Sequence, residues 1–138
     1  METRHNNEIL EIFKKGTELN IGILPNTKTV KYGHNYINDE LILYIKSSDE
    51  AADLLQKCID SKKAVHFNKW ANNGKFVTGY GNITILEINE EKVDGLNYIL
   101  KQEAEQNINQ DEIKDISIYK IIVEKTYLMK TSAAVTKS

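Results

Sequence analysis

The sequence predicts an α+β fold: a mainly antiparallel β-barrel of about six strands with flanking helices. Short runs rich in β-branched and aromatic residues are joined by turn signals, of which Asn72-Asn73-Gly74 is the strongest. Gly79 and Gly81 interrupt one long run at positions where a strand could bend around a barrel. Other stretches carry apolar residues at helical spacing. Short strands, hairpin turns and glycines placed for bending favour a closed barrel over an open sheet.

The first half of the chain predicts two helices and three strands. Asn6 or Asn7 can cap the first helix, and Gly16 can end it because glycine readily adopts the left-handed conformation that follows a helix. Asn38-Asp39-Glu40 is typical of a hairpin turn, because runs rich in aromatic and β-branched residues lie on both sides of it. The predicted elements are a helix at about residues 7–15, a strand at 19–24, a turn at 25–28, strands at 29–37 and 41–46, and a helix at about 49–60.

The second half predicts three strands and one long helix. Val93, Leu96 and Leu100 belong to the apolar stripe of that helix. The predicted elements are strands at residues 64–71 and 76–88, a helix at 89–107, a polar connector at 110–115, and a last strand at 116–123 that residues 124–130 can extend. We expect one domain over residues 1–130 and a disordered tail at 131–138.

Composition excludes several classes of protein. At 138 residues, 41% of them hydrophobic, the chain is long enough for one domain with its own core. The formal net charge of −2 gives no electrostatic reason to expect nucleic acid or an anionic membrane as a partner. The single Cys58 excludes an internal disulfide and a thiol-based zinc site. Because no apolar run approaches membrane-spanning length and the first residues lack a signal-peptide core, we expect a cytoplasmic protein.

The stretch from Tyr32 to Ser48 carries the strongest functional signal. Its residues 41–46 are almost wholly apolar, which is typical of a strand in a barrel wall. Ser47 and Ser48 then precede an apolar pattern at helical spacing, so either serine can cap the following helix. Because a helix start also offers free backbone N–H groups, the same serines can instead hold a phosphate. The residues alone leave both interpretations open.

This order of motifs resembles the FMN-binding split-barrel proteins of the pyridoxamine 5′-phosphate oxidase-like superfamily, nearest to the nitroimidazole-resistance (Nim) branch. Asn35-Tyr36 is similar to the Asn-Phe/Tyr pair of that branch, and Leu-Tyr-Ile-Lys-Ser-Ser at residues 43–48 is similar to its Leu/Ile-Tyr-Phe-His-Ser-Ala motif. Residues 76–83 and 118–121 are similar to two later strands of the family. Lys46 stands where the branch usually has His, and Gly33 replaces its Pro. The resemblance spans roughly residues 8–125 and implies a split barrel.

The resemblance also implies a homodimer that builds its FMN site from two chains. In the family, the strand around Asn35 lies against the flavin ring, and its backbone contacts the polar edge of the ring. The serines before the helix meet the phosphate. Trp70, beside a predicted turn, is placed to reach across a dimer interface. The residues expected to bind the cofactor are Tyr32, Gly33, His34, Asn35, Tyr36, Lys46, Ser47, Ser48 and Trp70.

Charge near the expected phosphate position opposes an anion. Asp49, Glu50 and Asp53 lie in the first turns of the predicted helix, and residues 49–56 contain no Lys or Arg. A cation from outside the helix must therefore face a bound phosphate, and Lys46 is the nearest in sequence. FMN could accordingly be bound tightly, bound weakly or lost.

Several of these residues also have a structural interpretation. Tyrosine stripes are usually core, so Tyr32 and Tyr36 could pack inside the barrel while they share a strand face with His34. His34 is not spaced with the other histidines as a metal ligand, and no carboxylate pair completes such a site. Trp70 could be an interface or rim aromatic without a chemical role. The sequence therefore predicts no metal site.

Three functions of different classes are compatible with these residues. The leading one is an FMN-dependent oxidoreductase of nitroreductase-like type that acts on a small organic acceptor, since a flavin would supply the chemistry that no side-chain motif accounts for. The second is a non-enzymatic small-ligand binding or sensor domain of the same fold. The third is a nucleic-acid-binding barrel, because Lys31-Tyr32, Lys69-Trp70 and Lys75-Phe76 place cations beside aromatics. The net charge of −2 argues against the third.

Overall fold

The computed structural model describes residues 7–23, 26–46, 49–71, 74–102 and 117–130. Within these ranges the chain forms three helices and six strands, so the predicted α+β fold is confirmed. The helices are α1 (Asn7–Lys14), α2 (Asp49–Ser61) and α3 (Asn89–Gln102). The strands are β1 (Glu18–Ile23), β2 (Asn26–Ile37), β3 (Glu40–Lys46), β4 (Val65–Trp70), β5 (Lys75–Ile85) and β6 (Ile118–Lys130).

The six strands form a closed antiparallel barrel in the order β1-β2-β3-β6-β5-β4. β2 is shared between two neighbours: its first half pairs with β1, its second half pairs with β3, and Lys31 pairs with both. Beyond Tyr32, β1 therefore no longer runs beside β2. The barrel closes where β1 meets β4, at the pairs Asn20–Asn68 and Ile21–Phe67.

The core fills the interior of the barrel. Inward residues alternate with outward ones along each strand, as in the fully buried Leu41, Leu43 and Ile45 of β3. α1 adds Phe13, whose ring packs edge-on against Tyr32 and Phe67 with centroids 6.2 Å and 6.0 Å away. Burial of this amphipathic helix face therefore joins α1 to the barrel.

α3 covers part of the outer wall of the barrel and forms a second apolar cluster there. Tyr44 of β3 stacks on Tyr98 of α3, with ring centroids 5.1 Å apart and planes nearly parallel at 3°. A Cβ atom added to Gly33 would lie 2.2 Å from the carbonyl carbon of Tyr98, so only glycine permits this approach of helix to strand. The buried members of the cluster are Tyr44, Leu86, Leu96, Ile99 and Ile118.

The hairpin between β2 and β3 turns at two residues. Asn38 and Asp39 have φ angles of 54° and 64°, which are the left-handed values of a type I′ turn. Ile37 pairs with Glu40, so the predicted turn is confirmed in place but Glu40 already belongs to β3.

The turn predicted at residues 25–28 is wrong over most of its length. Asn26, Thr27 and Lys28 pair with β1, which leaves only residues 24 and 25, outside the described ranges, to connect the strands. Their polar side chains suggested a turn, but pairing of their backbone groups with β1 decides the conformation.

Other boundaries follow the sequence more closely. The bend expected near Gly79 and Gly81 is confirmed by a register shift between β5 and β6 at Tyr80/Gly81. β6 extends to Lys130, as predicted, whereas β5 ends at Ile85 rather than at residue 88. The end of the helix predicted at 89–107, the connector at 110–115 and the tail at 131–138 lie outside the described residues.

Candidate functional site

Two lysines lie side by side where β3 leads to α2. Lys46 is the last residue of β3, and Lys31 of β2 is its register partner. Both are exposed, whereas the next pair along the hairpin, Tyr32 and Ile45, is fully buried, so the lysines lie on the outer face. Cβ atoms of such directly opposite residues lie about 4.5–5.5 Å apart, and like charges in this arrangement repel each other. Lys31 also has an acidic neighbour on its other side, because Glu18 of β1 is its register partner there.

Lys31 is the residue that sequence reasoning missed at this position. The pairing of Lys31 with Lys46 nevertheless follows from the sequence of the hairpin. A two-residue turn at Asn38-Asp39 places Ile37 opposite Glu40, and counting back along both arms brings Lys31 opposite Lys46. Ser47 and Ser48, expected at the same place, lie outside the described residues.

Tyr32 is fully buried, so its ring is not open to a partner chain. Its hydroxyl donates a hydrogen bond to the carbonyl oxygen of Phe13 and lies 3.3 Å from that of Lys15. Burial raises the pKa of Tyr32 above its ordinary value. Tyr32 thus holds the C-terminal end of α1 from within the barrel, which is the structural interpretation that the sequence left open.

His34 and Tyr36 share a strand face with Tyr32, but the side chain of each forms a hydrogen bond within the same chain. His34 Nδ1 donates to Gln102 Oε1 at 2.7 Å, and Tyr36 donates its hydroxyl to Asp39 at 2.9 Å. The pKa of Tyr36 is raised, mainly by desolvation and to a smaller extent by the hydrogen bond to Asp39 and by its charge. Both side chains are partly exposed, so they lie nearer to the rim than Tyr32 does.

Gln102 connects these strand residues to α1. Its Nε2 donates to the carbonyl oxygens of Phe13 at 2.9 Å and Gly16 at 2.8 Å, and it lies 3.3 Å from the Tyr32 hydroxyl. Helix ends leave carbonyl groups without intrahelical partners, so Gln102 of α3 serves as a distant cap for α1. A single glutamine at the end of an apolar stripe gives no sequence signal for this role.

Gly33 and Asn35 occupy the opposite face of β2. The backbone of α3 at Tyr98 and Ile99 lies directly against Gly33, so this position is covered within the same chain. Asn35 is half-buried, opposite Ile42 of β3. A ligand on this side of the strand could contact Asn35 but not Gly33.

Trp70 lies apart from the lysine pair. It is 43% exposed and packs on Phe76, with ring centroids 4.6 Å apart. β1 and β2 lie between its strand and β3, which corresponds to roughly 14 Å across three strand spacings. The structure therefore brings Lys46 next to Lys31 but does not bring Trp70 next to Lys46 in one chain.

The described residues contain no group of three or more His, Cys, Asp or Glu that could hold a metal ion. No helix within the described ranges is both long and apolar enough to cross a membrane.

Solved structures with the same architecture include three named proteins of related kinds. A protein assigned as a 5-nitroimidazole antibiotic resistance protein from Bacteroides thetaiotaomicron is 16% identical, with a TM-score of 0.63 over 90% of this chain and 82% of that chain. A protein assigned as a pyridoxamine 5′-phosphate oxidase from Listeria innocua is 16% identical, with a TM-score of 0.61 over 91% of this chain and 98% of that chain. This chain has the pyridoxamine 5′-phosphate oxidase-like split-barrel fold.

A third structure with this split barrel is the flavocytochrome Anf3 from Azotobacter vinelandii. It is 10% identical, with a TM-score of 0.63 over 94% of this chain and 69% of that chain. The sequence matches no protein-family model and no curated protein. Identities this low establish the fold alone, so the resemblance predicted from the motifs is confirmed at the level of the split barrel.

Proposed function

We propose that this split barrel binds FMN and acts as an oxidoreductase on a small organic acceptor. The observation that carries the proposal is the Lys31–Lys46 pair directly before α2. Because the first turns of α2 are acidic, a bound phosphate would need a cation from outside the helix. The β2–β3 hairpin has two lysines, Lys31 and Lys46, on its outer face. Lys31 and Lys46 would face a phosphate as point charges, and we propose that Ser47 and Ser48, which follow Lys46 in the sequence, contribute their hydroxyl groups.

The ring of the flavin would lie along the rim of β2. Because β1 stops pairing at Lys31, the backbone N–H and C=O groups of β2 that face away from β3 have no strand of the described residues beside them beyond Tyr32. His34 and Tyr36 carry these groups, which suit the polar edge of a flavin. Tyr32 and Gly33 support the rim from below, through α1 and α3.

The chain's own residues would bind and orient the cofactor. Lys31 and Lys46 hold the phosphate, the rim of β2 orients the ring, and the Gln102 network keeps that rim in place. Bound FMN would supply the electron or hydride transfer between a donor and the acceptor. No acid–base pair is required of the protein, which agrees with the absence of a catalytic motif in the sequence.

We further propose a homodimer, which places Trp70 of one chain near the other chain's cofactor. Trp70 pairs with Phe76, and Phe76 pairs with Met129, so the three side chains form a row across β4, β5 and β6. Tyr127 lies on the same face, and Trp70, Tyr127 and Met129 are each more than 40% exposed. An exposed apolar row of this kind supports a protein interface.

The test is FMN titration of the purified protein, followed by its visible absorption spectrum. We expect saturable binding and a bound-flavin spectrum that NADH or NADPH bleaches in the absence of oxygen. A protein that does not bind FMN at tens of micromolar would contradict the proposal.

A non-enzymatic flavin or small-ligand sensor of the same fold is the second candidate. The packing of α3 on Gly33 favours it, because that packing covers a part of β2 that the resemblance assigns to the flavin. FMN that binds but is not reduced by either nicotinamide would favour the sensor. A cytoplasmic location stays a prediction for both candidates.

A further inference from the structure

A cavity of about 490 Å³ lies between α1 and the C-terminal end of β4. Its lining includes Ile12 and Lys15 from α1 and the residue after it, and Lys69, Trp70 and Ala71 from the end of β4 and the residue beyond. The cavity combines apolar walls with three lysines and two glutamates. None of these residues belongs to the lysine pair on which the FMN proposal depends.

Lys69 is a buried cation at the base of this cavity. Its side chain points to the barrel side of β4, and the residue is only 7% exposed. Nζ donates to the carbonyl oxygen of Glu18 at 3.0 Å and lies 5.1 Å from the ring centroid of Tyr32. No carboxylate of the described residues lies within salt-bridge distance of it.

A buried ammonium group without an anionic partner is unfavourable. Desolvation lowers the pKa of Lys69, and the charge of Glu18 raises it in part. A carbonyl oxygen and an aromatic face offset only part of the lost hydration. An anion that entered the cavity would therefore gain more from Lys69 than it would from a solvated lysine.

The acidic residues of the cavity are already paired. Glu8 bonds to Lys75 at 2.9 Å, and Glu11 bonds to Lys14 at 3.0 Å. Lys15, on the rim, has no carboxylate within salt-bridge distance among the described residues. The lining carries three lysines and two glutamates, so its charge balance is positive, and Lys15 and Lys69 lie outside the two ion pairs.

Access to Lys69 depends on Gly16. This residue has a φ of +75°, and a Cβ atom built on it would lie 2.7 Å from Lys69 Nζ. Glycine thus ends α1 without filling the space beside the ammonium group. Trp70 also lines the cavity and is 43% exposed, so part of its surface is accessible to a ligand there.

We propose that this cavity is a binding site for a small aromatic carboxylate, whose carboxylate pairs with Lys69 and whose ring packs on Trp70. Lys15 is exposed at the rim and does not pair with the carboxylate, so the preference for an anion depends on Lys69. The site shares Trp70 with the proposed dimer face, but it uses neither Lys31, Lys46 nor the rim of β2, so its anion pairing with Lys69 can be tested separately from FMN binding.

The experiment uses the full-length protein and compares benzoate with benzamide, its neutral counterpart, by isothermal titration calorimetry. Trp70 is the chain's only tryptophan, so its fluorescence and its indole N–H signal report directly on this cavity. We expect benzoate to bind at least about tenfold more tightly than benzamide and to shift the Trp70 signals. Lys69→Met should abolish that preference, whereas Lys28→Met, an exposed lysine of β2 outside the cavity, should keep it.

Equal affinities for benzoate and benzamide in the wild type would overturn the proposal, and that comparison needs no variant. A preference that persists in Lys69→Met, or in Lys69→Gln should the methionine variant not fold, would also overturn it. Saturating FMN should leave benzoate affinity unchanged. Displacement of benzoate by FMN would mean that the cavity belongs to the flavin site and not to a site of its own.

Discussion

The side chain of Gln102 accepts a hydrogen bond from His34 Nδ1 at 2.7 Å. Through the same amide, α3 also reaches the last carbonyl groups of α1. One glutamine therefore ties together the rim of β2, the end of α1 and the end of α3.

Gln102→Ala should lower the free energy of unfolding by about 1–3 kcal/mol, because it leaves the carbonyl groups of Phe13 and Gly16 without this donor. Urea unfolding gives the measurement. Gln56→Ala is the matched control, since exposed Gln56 bonds only to Asp60 one helical turn away; it should change stability by less than about 0.5 kcal/mol. Equal losses in both variants would show that the network does not stabilise the fold.

Lys31→Gln and Lys46→Gln should each weaken FMN binding markedly and reduce its salt dependence, because each removes a charge that faces the phosphate. Riboflavin, which lacks the phosphate, should bind both variants about as well as it binds the wild type. Fluorescence titration with the two flavins makes the comparison, with Lys28→Gln as an exposed lysine of the same strand that should change neither affinity. Equal losses for FMN and riboflavin would assign the lysines to the ring or to folding.

Gly33→Ala should destabilise the protein by about 1–3 kcal/mol or more, since its new methyl group would overlap the backbone of α3 at Tyr98. Loss of the Tyr44–Tyr98 stack would accompany the displacement of α3 and would be visible in the near-ultraviolet circular dichroism. Asn35→Ala, on the same strand face, is the control and should unfold near the wild-type temperature. A Gly33→Ala protein with wild-type stability would mean that α3 does not pack here.

Tyr32 should make the protein sensitive to alkaline pH. Its pKa is raised above the ordinary value of 10.0 by burial, so the unfolded chain loses this proton at a lower pH than the folded chain does. Stability from this group is unchanged below about pH 10 and falls as pH rises above it. Between about pH 8 and pH 11, the free energy of unfolding should therefore fall less for Tyr32→Phe than for the wild type, as measured by urea unfolding. Tyr127→Phe, at an exposed tyrosine, should follow the wild-type curve, and a Tyr32→Phe curve parallel to the wild type would contradict the assignment.

Met129→Lys should dissociate the proposed homodimer, because it puts a charge into the row formed with Phe76 and Trp70. Sedimentation velocity at micromolar concentration should show a wild-type dimer and a variant monomer. Ile88→Lys provides the control, since Ile88 is also an exposed apolar residue but lies on the segment before α3. A monomeric wild type would remove the dimer and, with it, the contact of Trp70 with a partner's cofactor.

Features that depend on neighbours in sequence were predictable. The β2–β3 hairpin, the end of α1 at Gly16 and the irregularity near Gly81 all follow from local turn chemistry and from glycine. Even the Lys31–Lys46 pair follows once the turn is known to contain two residues. Local rules failed at Asn26–Lys28, where strand pairing overrides polar composition.

Features that depend on long-range packing were not predictable. Gln102 reaches carbonyl groups of a helix at the other end of the chain, and no spacing rule connects them. In the sequence, Gly33 was notable only because it replaces the proline of the Nim motif. In the structure, its missing side chain leaves room for the backbone of α3. Lys69 lies on the same face of β4 as the buried Val65 and Phe67, but a lysine at such a position gives no sequence signal that Gly16 and Tyr32 will enclose it.

The closure of the barrel at Asn20–Asn68 and Ile21–Phe67 has a consequence for how the chain folds. The pairs β2–β3 and β4–β5 extend over many residues and are joined by short connections, so they can form early. The β1–β4 seam joins distant parts of the chain through a short ladder and therefore forms late. In the native protein the same seam is the place where the barrel opens at least cost, which would transiently admit solvent beside Phe67 while β5 and β6 stay paired.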